Sequence, residues 1–442
     1  MGKDGPVASN IDIFLRIRPV QQPSRRVAVE LPENKVEFNI PRELGSGYVN
    51  NQREHYEFKF NGILQPDAEQ DEVFERVASS TVMGAMEGFN GTVFAYGQTG
   101  SGKTFTITGG AERYVDRGII PRAISLIYSE IAKNTDTQYT VHISYFEIYQ
   151  ENGYDLLDPD HETKALEDLP KVSMMEDETG GVHLRNLSMH RANNEEEALN
   201  LLFLGDTNRA ISETPMNLAS SRSHCIFTIQ LQAQQHGSET IRKSKLNLVD
   251  LAGSERVSKT GVDGTTLSEA KFINLSLHYL EQVIIALQER ATGHHRPHVP
   301  YRNSMLTGVL RDSLGGNCRT VMVATMNPSM SHLDESISTC RFALRVAMVS
   351  NKVAINEEHD PNMIIKRLKA EVVELKEEIR LLRGEEEDRG PLTDGERQRI
   401  EKQVAAFVQD RSPEAILDIG GSMMFIRAAY ASFKKLVVAG GS

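Results

Sequence analysis

Eight consecutive residues, Gly97-Gln98-Thr99-Gly100-Ser101-Gly102-Lys103-Thr104, satisfy the spacing G-x-x-x-x-G-K-[ST] at every fixed position. The chemistry this spacing serves is phosphate binding. Glycines let successive backbone N–H groups face one way, so that the turn becomes a cradle for an oxygen-rich anion. The lysine can reach the β- and γ-phosphate oxygens of a nucleoside triphosphate, and the hydroxyl after it can ligate Mg²⁺. Lys103 and Thr104 are thus the side chains on which a triphosphate and its metal would depend. The preceding run, Gly91-Thr-Val-Phe-Ala-Tyr96, has the apolar composition of a buried parallel strand, and a helix is expected after Gly102.

A phosphate loop alone leaves many triphosphatases open, and what reads the terminal phosphate separates them. Lys245-Leu-Asn-Leu-Val-Asp250 is a strand-like run ending in an acid, followed by Leu-Ala-Gly253-Ser-Glu255. Asp250 would hold a water of the Mg²⁺ shell, and Gly253 could offer its N–H to the γ-phosphate with no side chain in the way. Upstream, Asn217-Leu-Ala-Ser220-Ser221-Arg222-Ser223-His224 gathers an amide, hydroxyls and a guanidinium ahead of another strand, a loop able to close over phosphate. Each segment alone is also the ordinary residue of a strand end or a serine-rich strand entry; together with the phosphate loop they describe a nucleotide switch. No Asn-Lys-x-Asp segment of the kind that reads guanine is present, which argues against a GTPase.

The elements that must position these residues follow from patterning. Strands are expected over residues 11–17, 91–96, 140–149, 223–232, 245–249 and 319–325, and helices after 102 and over 192–204, 269–290 and 333–349. Alternation of the two predicts an α/β domain on a mainly parallel central sheet with helices on both faces, spanning residues 1–350. Residues 32–56 read as an excursion of short strands. Residues 351–362 lack periodicity and form a linker. Over 363–383, Ile365, Leu368, Val372, Leu375, Ile379 and Leu382 recur at the 3,4 spacing of a coiled-coil seam, long enough for two to three heptads. This predicts either a homodimer through residues 365–382 or a helix packed on its own domain. A charged hinge is expected at 384–395 and a helical segment at 396–442, whose last helix would pack through Met423, Ile426, Tyr430, Phe433 and Val437.

Composition bounds the remaining choices. The 442 residues are 39% hydrophobic, enough for a sizeable core, and the net charge of −12 argues against a general nucleic-acid binder. Three cysteines, Cys225, Cys318 and Cys340, form no C-x-x-C pair, which fits a reducing compartment. No run is apolar enough to span a membrane, so a soluble intracellular protein is expected. His294-His-Arg-Pro-His298 lacks a cysteine or carboxylate to complete a zinc site and reads as an exposed loop.

With these residues in view, the chain resembles a kinesin motor domain from residue 11 to 351. The resemblance rests on Arg16-Ile-Arg18-Pro19, Phe94-Ala-Tyr-Gly-Gln-Thr-Gly-Ser-Gly-Lys-Thr104, the 217–224 segment, Asp250-Leu-Ala-Gly-Ser-Glu255, His298-Val-Pro-Tyr-Arg302 and Asp312-Ser-Leu-Gly-Gly-Asn-Cys-Arg319. The stretch Ile273-Asn-Leu-Ser-Leu-His-Tyr-Leu-Glu-Gln-Val-Ile284 is most similar to the kinesin-9 family, which is associated with cilia and flagella.

The resemblance implies a P-loop fold with an eight-stranded central sheet and ATP/ADP with Mg²⁺ as ligands. It further implies an ATPase stimulated by microtubules, in the cytoplasm and cytoskeleton and, for a kinesin-9, in the cilium or flagellum. Arg16, Arg18 and Pro19 would border the adenine, with Phe105 where many relatives stack a ring on the base. Gln98, Thr99, Gly100, Ser101 and Gly102 complete the phosphate cradle, with Asn217 and Ser220 approaching from the other side. Thr104 would ligate Mg²⁺ directly, and Ser221 and Asp250 through water. Arg222 and Glu255 would pair to close the switches, leaving Glu255 to accept a proton from the attacking water through a water chain.

The same resemblance places the microtubule contact on residues 256–290 and 298–311, linker docking after residue 350 in the ATP state, and, by analogy, plus-end direction. Three cations usual in relatives are missing: Leu275, Met305 and Gly308 stand where a lysine, a lysine and an arginine are expected. Weaker, less salt-sensitive filament binding would follow, and with the short neck this favours a second reading, a structural or regulatory ciliary component with little movement.

Overall fold

The structure, a computed structural model, describes residues 6–40, 53–110, 113–162, 168–177, 181–212, 222–255, 265–293, 298–382, 391–410, 412, 414–420 and 423–439. It divides into two compact units, Met1–Glu358 and His359–Ser442.

In the first unit the central path of strands runs, edge to edge, Val182–Arg185, Lys171–Glu176, Asn152–Asp155, Thr137–Tyr149, His224–Gln235, Thr240–Asp250, Gly91–Tyr96, Arg319–Met326, Asp12–Ile17 and Gly62–Leu64. Two short strands off this path make it a twelve-stranded sheet. The α/β fold is the expected one, but the sheet is mixed and larger than eight strands. The run from Thr240–Asp250 to Gly62–Leu64 pairs in parallel. On the other side the long strands Thr137–Tyr149, His224–Gln235 and Thr240–Asp250 form an antiparallel meander. The turn after Gln235 contains Gly237 at φ +79°, so two long strands join without a helical crossover.

Alternation along Gly91–Tyr96 shows how the sheet is covered on both faces: Val93 and Ala95 join one core, Phe94 the other. One core takes Leu280, Val283 and Ile284 from the helix Thr265–Ala291, Leu306 from Met305–Val309, and Ile337 and Phe342 from Leu333–Val346. The opposite core takes Val73 from Gln70–Val77, Ile107 from Lys103–Ile107, Ile124 from Ile119–Lys133 and Leu202 from Glu195–Ser212. The excursion after residue 26 is a separate three-stranded antiparallel sheet of Val27–Glu30, Lys35–Asn39 and His55–Lys59.

The segment after Ser350 runs along the core. Ser350–Val353 pairs antiparallel with Val7–Asn10, Val353 opposite Val7 and Ser350 opposite Asn10. The Asn351 amide donates to the Ser313 and Cys318 carbonyls, and Asn356 donates its side-chain amide to Gly88 O and Asn90 Oδ1.

The second unit contains the helices Pro361–Leu382, Asp394–Gln409 and Met423–Ala439. Thr393 caps the middle one in a reciprocal capping box with Glu396. The last two pack through Ile400, Val404 and Ala429, with Phe407 edge-on to Phe433 at 6.2 Å. Of the face expected for the last helix, Phe433 points inward, whereas Tyr430 and Val437 are exposed; Phe425 and Ala429 take their place. Among the described residues no helix is long and apolar enough to cross a membrane.

Candidate nucleotide-binding site

The site is built at the C-terminal ends of two adjacent parallel strands. In their register Asp250 lies beside Ala95, so the acid and the start of the phosphate loop emerge side by side. Gly102 takes φ +103°, a left-handed turn that L side chains resist, and from it the helix Lys103–Ile107 starts under the loop.

Lys103 is 6% exposed, and its ammonium donates to the Gln98 carbonyl at 3.0 Å. Burial lowers its pKa, opposed by the charges of Asp250 and Glu255. A buried cation leaning on one carbonyl is poised for a stronger anionic partner. The Thr104 hydroxyl donates to Asp250 Oδ2 at 2.6 Å, while the buried Asp250 Oδ1 has no hydrogen-bond partner. An acceptor orphaned beside a hydroxyl is what hydrated Mg²⁺ would satisfy, so Thr104 and Asp250 fit the metal expected there. Arg209, from the last turn of Glu195–Ser212, reaches Asp250 Oδ2 at 3.4 Å.

The loop is braced from several directions. Ser101 Oγ lies 2.6 Å from Thr325 Oγ1 and donates to Gln98 O, and Ser254 N–H donates to Gly97 O at 3.1 Å. A Cβ on Gly253 would stand 2.3 Å from Thr99 Oγ1, so only glycine lets the acid-bearing segment come this close. The Glu255 carboxylate accepts the Thr99 N–H at 2.7 Å and the Thr99 hydroxyl as well. Its described contacts are therefore with the phosphate loop, not with Arg222, which stands half-buried just before His224. Asn217, Ser220 and Ser221 lie outside the described residues.

Beside the loop opens a cleft of about 550 Å³ lined by Arg16, Arg18, Pro19, Pro66, Ala68 and Phe105 together with residues 99–104. Arg18 donates to the Gly100 carbonyl. Phe105 is 43% exposed with the Arg16 guanidinium 5.3 Å from its ring centre, leaving an aromatic face for a base. Burial lowers the Arg16 pKa to about 10; the guanidinium is held by Gln70 Oε1 and Thr106 Oγ1, each at 2.9 Å.

Three contributors escaped the sequence reading: Gln70, Arg209 and the role of His224. Gln70 also donates to the Phe105 and Asp116 carbonyls, fixing the cleft wall. His224 Nδ1 accepts the Ala252 N–H at 3.1 Å and Nε2 lies 2.7 Å from Ser276 Oγ. An acceptor nitrogen facing an amide requires the neutral ring with its proton on Nε2, and burial agrees, pushing the pKa to about 3. The imidazole so joins the Asp250–Glu255 segment to the helix Thr265–Ala291. No signal in the sequence marks these partners except that His224 adjoins the switch segment.

Phosphate loop, metal acid and cleft on a helix-flanked sheet define a P-loop nucleoside triphosphatase. The family model for the kinesin motor domain matches residues 16–349, and the chain belongs to that family, whose members are ATPases. Kinesin-like protein KLP1 of Chlamydomonas reinhardtii is 43% identical over 375 residues, covering 84% of this chain and 47% of that protein. Kinesin-like protein KIF9 of Mus musculus is also 43% identical, covering 84% and 46%. These relatives agree with the kinesin-9 resemblance of residues 273–284. The chain spans about half the length of the curated relatives it matches. Among solved structures, a fast kinesin superposes with TM-score 0.69 at 34% identity, covering 80% of this chain and 95% of that one. A KIF14 dimer bound through two heads to a microtubule with AMP-PNP gives 0.70 at 33%, covering 79% and 97%.

Proposed function

We propose that this chain hydrolyses ATP and couples the hydrolysis to force or movement on microtubules, directed to the plus end, in a cilium or flagellum. The observation that carries the reading is the meeting of Lys103, Thr104, Asp250 and Glu255 around one phosphate loop, with the Asp250–Glu255 segment tied through His224 to the helix Thr265–Ala291. The filament-bound KIF14 structure and the kinesin-9-like stretch support partner and location.

In this mechanism Arg16, Arg18, Pro19 and Phe105 hold the base, and Gln98 to Gly102 cradle the phosphates while Lys103 exchanges the Gln98 carbonyl for phosphate oxygen. Thr104 directly, and Ser221 and Asp250 through water, would hold Mg²⁺, whose positive charge would offset that of the phosphates. Asn217 and Ser220 approach the phosphate as the switch closes. Gly253 donates its N–H at the γ-phosphate, Arg222 draws Glu255 away from Thr99, and Glu255 takes the proton of the attacking water through a water chain. The movement of Gly253 is passed through Ala252, His224 and Ser276 to the helix that, with residues 256–264 and 298–311, faces the filament.

The exposed seam of Pro361–Leu382, where Ile365, Leu368, Val372, Leu375 and Ile379 are each 46–49% exposed, supports pairing with a second copy. Single-molecule imaging on immobilised microtubules with parallel ATPase measurement tests the function. Filament-stimulated turnover with directed runs is expected; stimulated turnover without displacement would favour the structural role, and turnover indifferent to microtubules would refute the coupling.

A further inference from the structure

The filament-facing segment after His298 holds two features that its charge count hides. Met305 and Gly308 are joints rather than open positions. A Cβ on Gly308 would stand 2.3 Å from Met174 Sδ, and one on Gly153 2.5 Å from Met305 Cε. The strands Lys171–Glu176 and Asn152–Asp155 therefore sit directly on the helix Met305–Val309, and an arginine at 308 would have to displace Met174. Restoring the two cations expected there would disturb packing as well as charge.

From the same strand, Glu176 holds two of the arginines that remain. Its Oε2 accepts from Arg302 Nε at 2.9 Å and Nη2 at 2.5 Å, and its Oε1 from Arg311 Nη1 at 2.8 Å. The side chains of Arg302, Arg311 and Glu176 are 72%, 37% and 27% exposed. Solvent reaches all three, so the contact is exchangeable. The arginines draw the carboxyl's pKa further below the ordinary glutamate range, the mark of a carboxylate that both cations favour.

We infer that Glu176 is an internal competitor for the filament: Arg302 and Arg311 exchange it for a carboxylate of the acidic tubulin surface on binding, and Glu176 thereby sets the affinity and its salt dependence. The inference rests on the microtubule reading above. Glu176 occupies the Nε–Nη2 edge of Arg302 and the Nη1 of Arg311, donors an incoming carboxylate would use, and its own charge repels that carboxylate. Two arginines sharing one acid leave a net positive charge, so attraction to the filament is reduced and not abolished. The missing cations thus matter less than how the present ones are occupied.

The test is co-sedimentation of the full chain with polymerised tubulin across a range of salt, comparing wild type, Glu176→Gln and Glu176→Gln/Arg311→Gln, with thermal unfolding to confirm that each is folded. Glu176→Gln is expected to bind about two- to fivefold more tightly at low salt. Its affinity should fall more steeply as salt rises, since more unneutralised charge faces the filament. The second substitution should cancel most of the gain. A Glu176→Gln curve lying on that of wild type, or weaker binding because Glu176 pre-shapes the arginines, would overturn the inference while leaving the microtubule reading intact. Failure of both wild type and Glu176→Gln to pellet at the lowest salt would overturn both.

Discussion

The backbone N–H of Ala252 donates to His224 Nδ1 across 28 residues of sequence, and the same ring meets Ser276 on its other side. A single neutral imidazole spans the segment carrying Gly253 and Glu255 and the long helix behind it, which makes its protonation state a structural matter.

With its pKa held near 3 by burial against an ordinary 6.5, His224 refuses a proton that the unfolded chain binds between those values. Its contribution is complete above about pH 6.5 and drains as pH falls toward 3. Asp206 acts in the opposite direction, since burial pushes its carboxyl up to about 6 and the folded state gains relative stability as pH drops below that. His224→Gln should cost about 1–3 kcal/mol at pH 7 through lost hydrogen bonding, yet show a shallower loss between pH 6.5 and 4. Urea unfolding at several pH values reads the difference; parallel curves for the two proteins would contradict it.

Arg209 is nearly buried beside Asp250, and Asp206 lies one turn before it on the same helix. Removing its charge takes the paired guanidinium from a buried carboxylate, leaving it to Thr104 and Lys103, so Arg209→Ala should destabilise the fold by about 3–5 kcal/mol, as for other broken buried pairs. Chemical denaturation is the measurement, and a loss under 1 kcal/mol would show that the guanidinium is not balancing Asp250.

Lys103→Ala removes the buried ammonium beside Gln98. Affinity for a fluorescent ATP analogue should fall about ten- to hundredfold, the scale of a charge-assisted hydrogen bond or two. Unchanged affinity would displace Lys103 from the phosphates.

Glu255→Ala should retain nucleotide while slowing hydrolysis about 10² to 10⁴-fold, the span of general-base catalysis. Single-turnover measurement separates this from product release; a rate within threefold of wild type would remove Glu255 from proton transfer.

The legible part of the site was what is contiguous. Lys103, Thr104 and Gly102 carry their chemistry in eight residues, and Asp250 follows from an apolar strand ended by an acid. The parallel half of the sheet was readable because strands covered on both faces are uninterrupted apolar runs. In the antiparallel half the strands at 140–149, 223–232 and 245–249 were legible too, but the polar positions of Thr137–Tyr149 and Thr240–Asp250 conceal how far those strands extend. Gln70, Arg209 and Glu176 were invisible for another reason. Their partners stand 35 to 135 residues away, and nothing in local spacing marks a carboxylate that will meet an arginine only after the sheet forms.

The seam between Val7–Asn10 and Ser350–Val353 has a mechanical consequence. Its outer strand is exposed at all four residues, and Val353 lies opposite Val7. Once Ala354, Asn356 and the short strand after them are released from Asn317, Asn90 and the central sheet, tension drawn through the chain beyond Val353 strips the ladder one rung at a time, Val7 first and Asn10 last, rather than loading every rung together. Such a fastening parts and re-forms rung by rung, so it can open and close without rearranging the strands behind it.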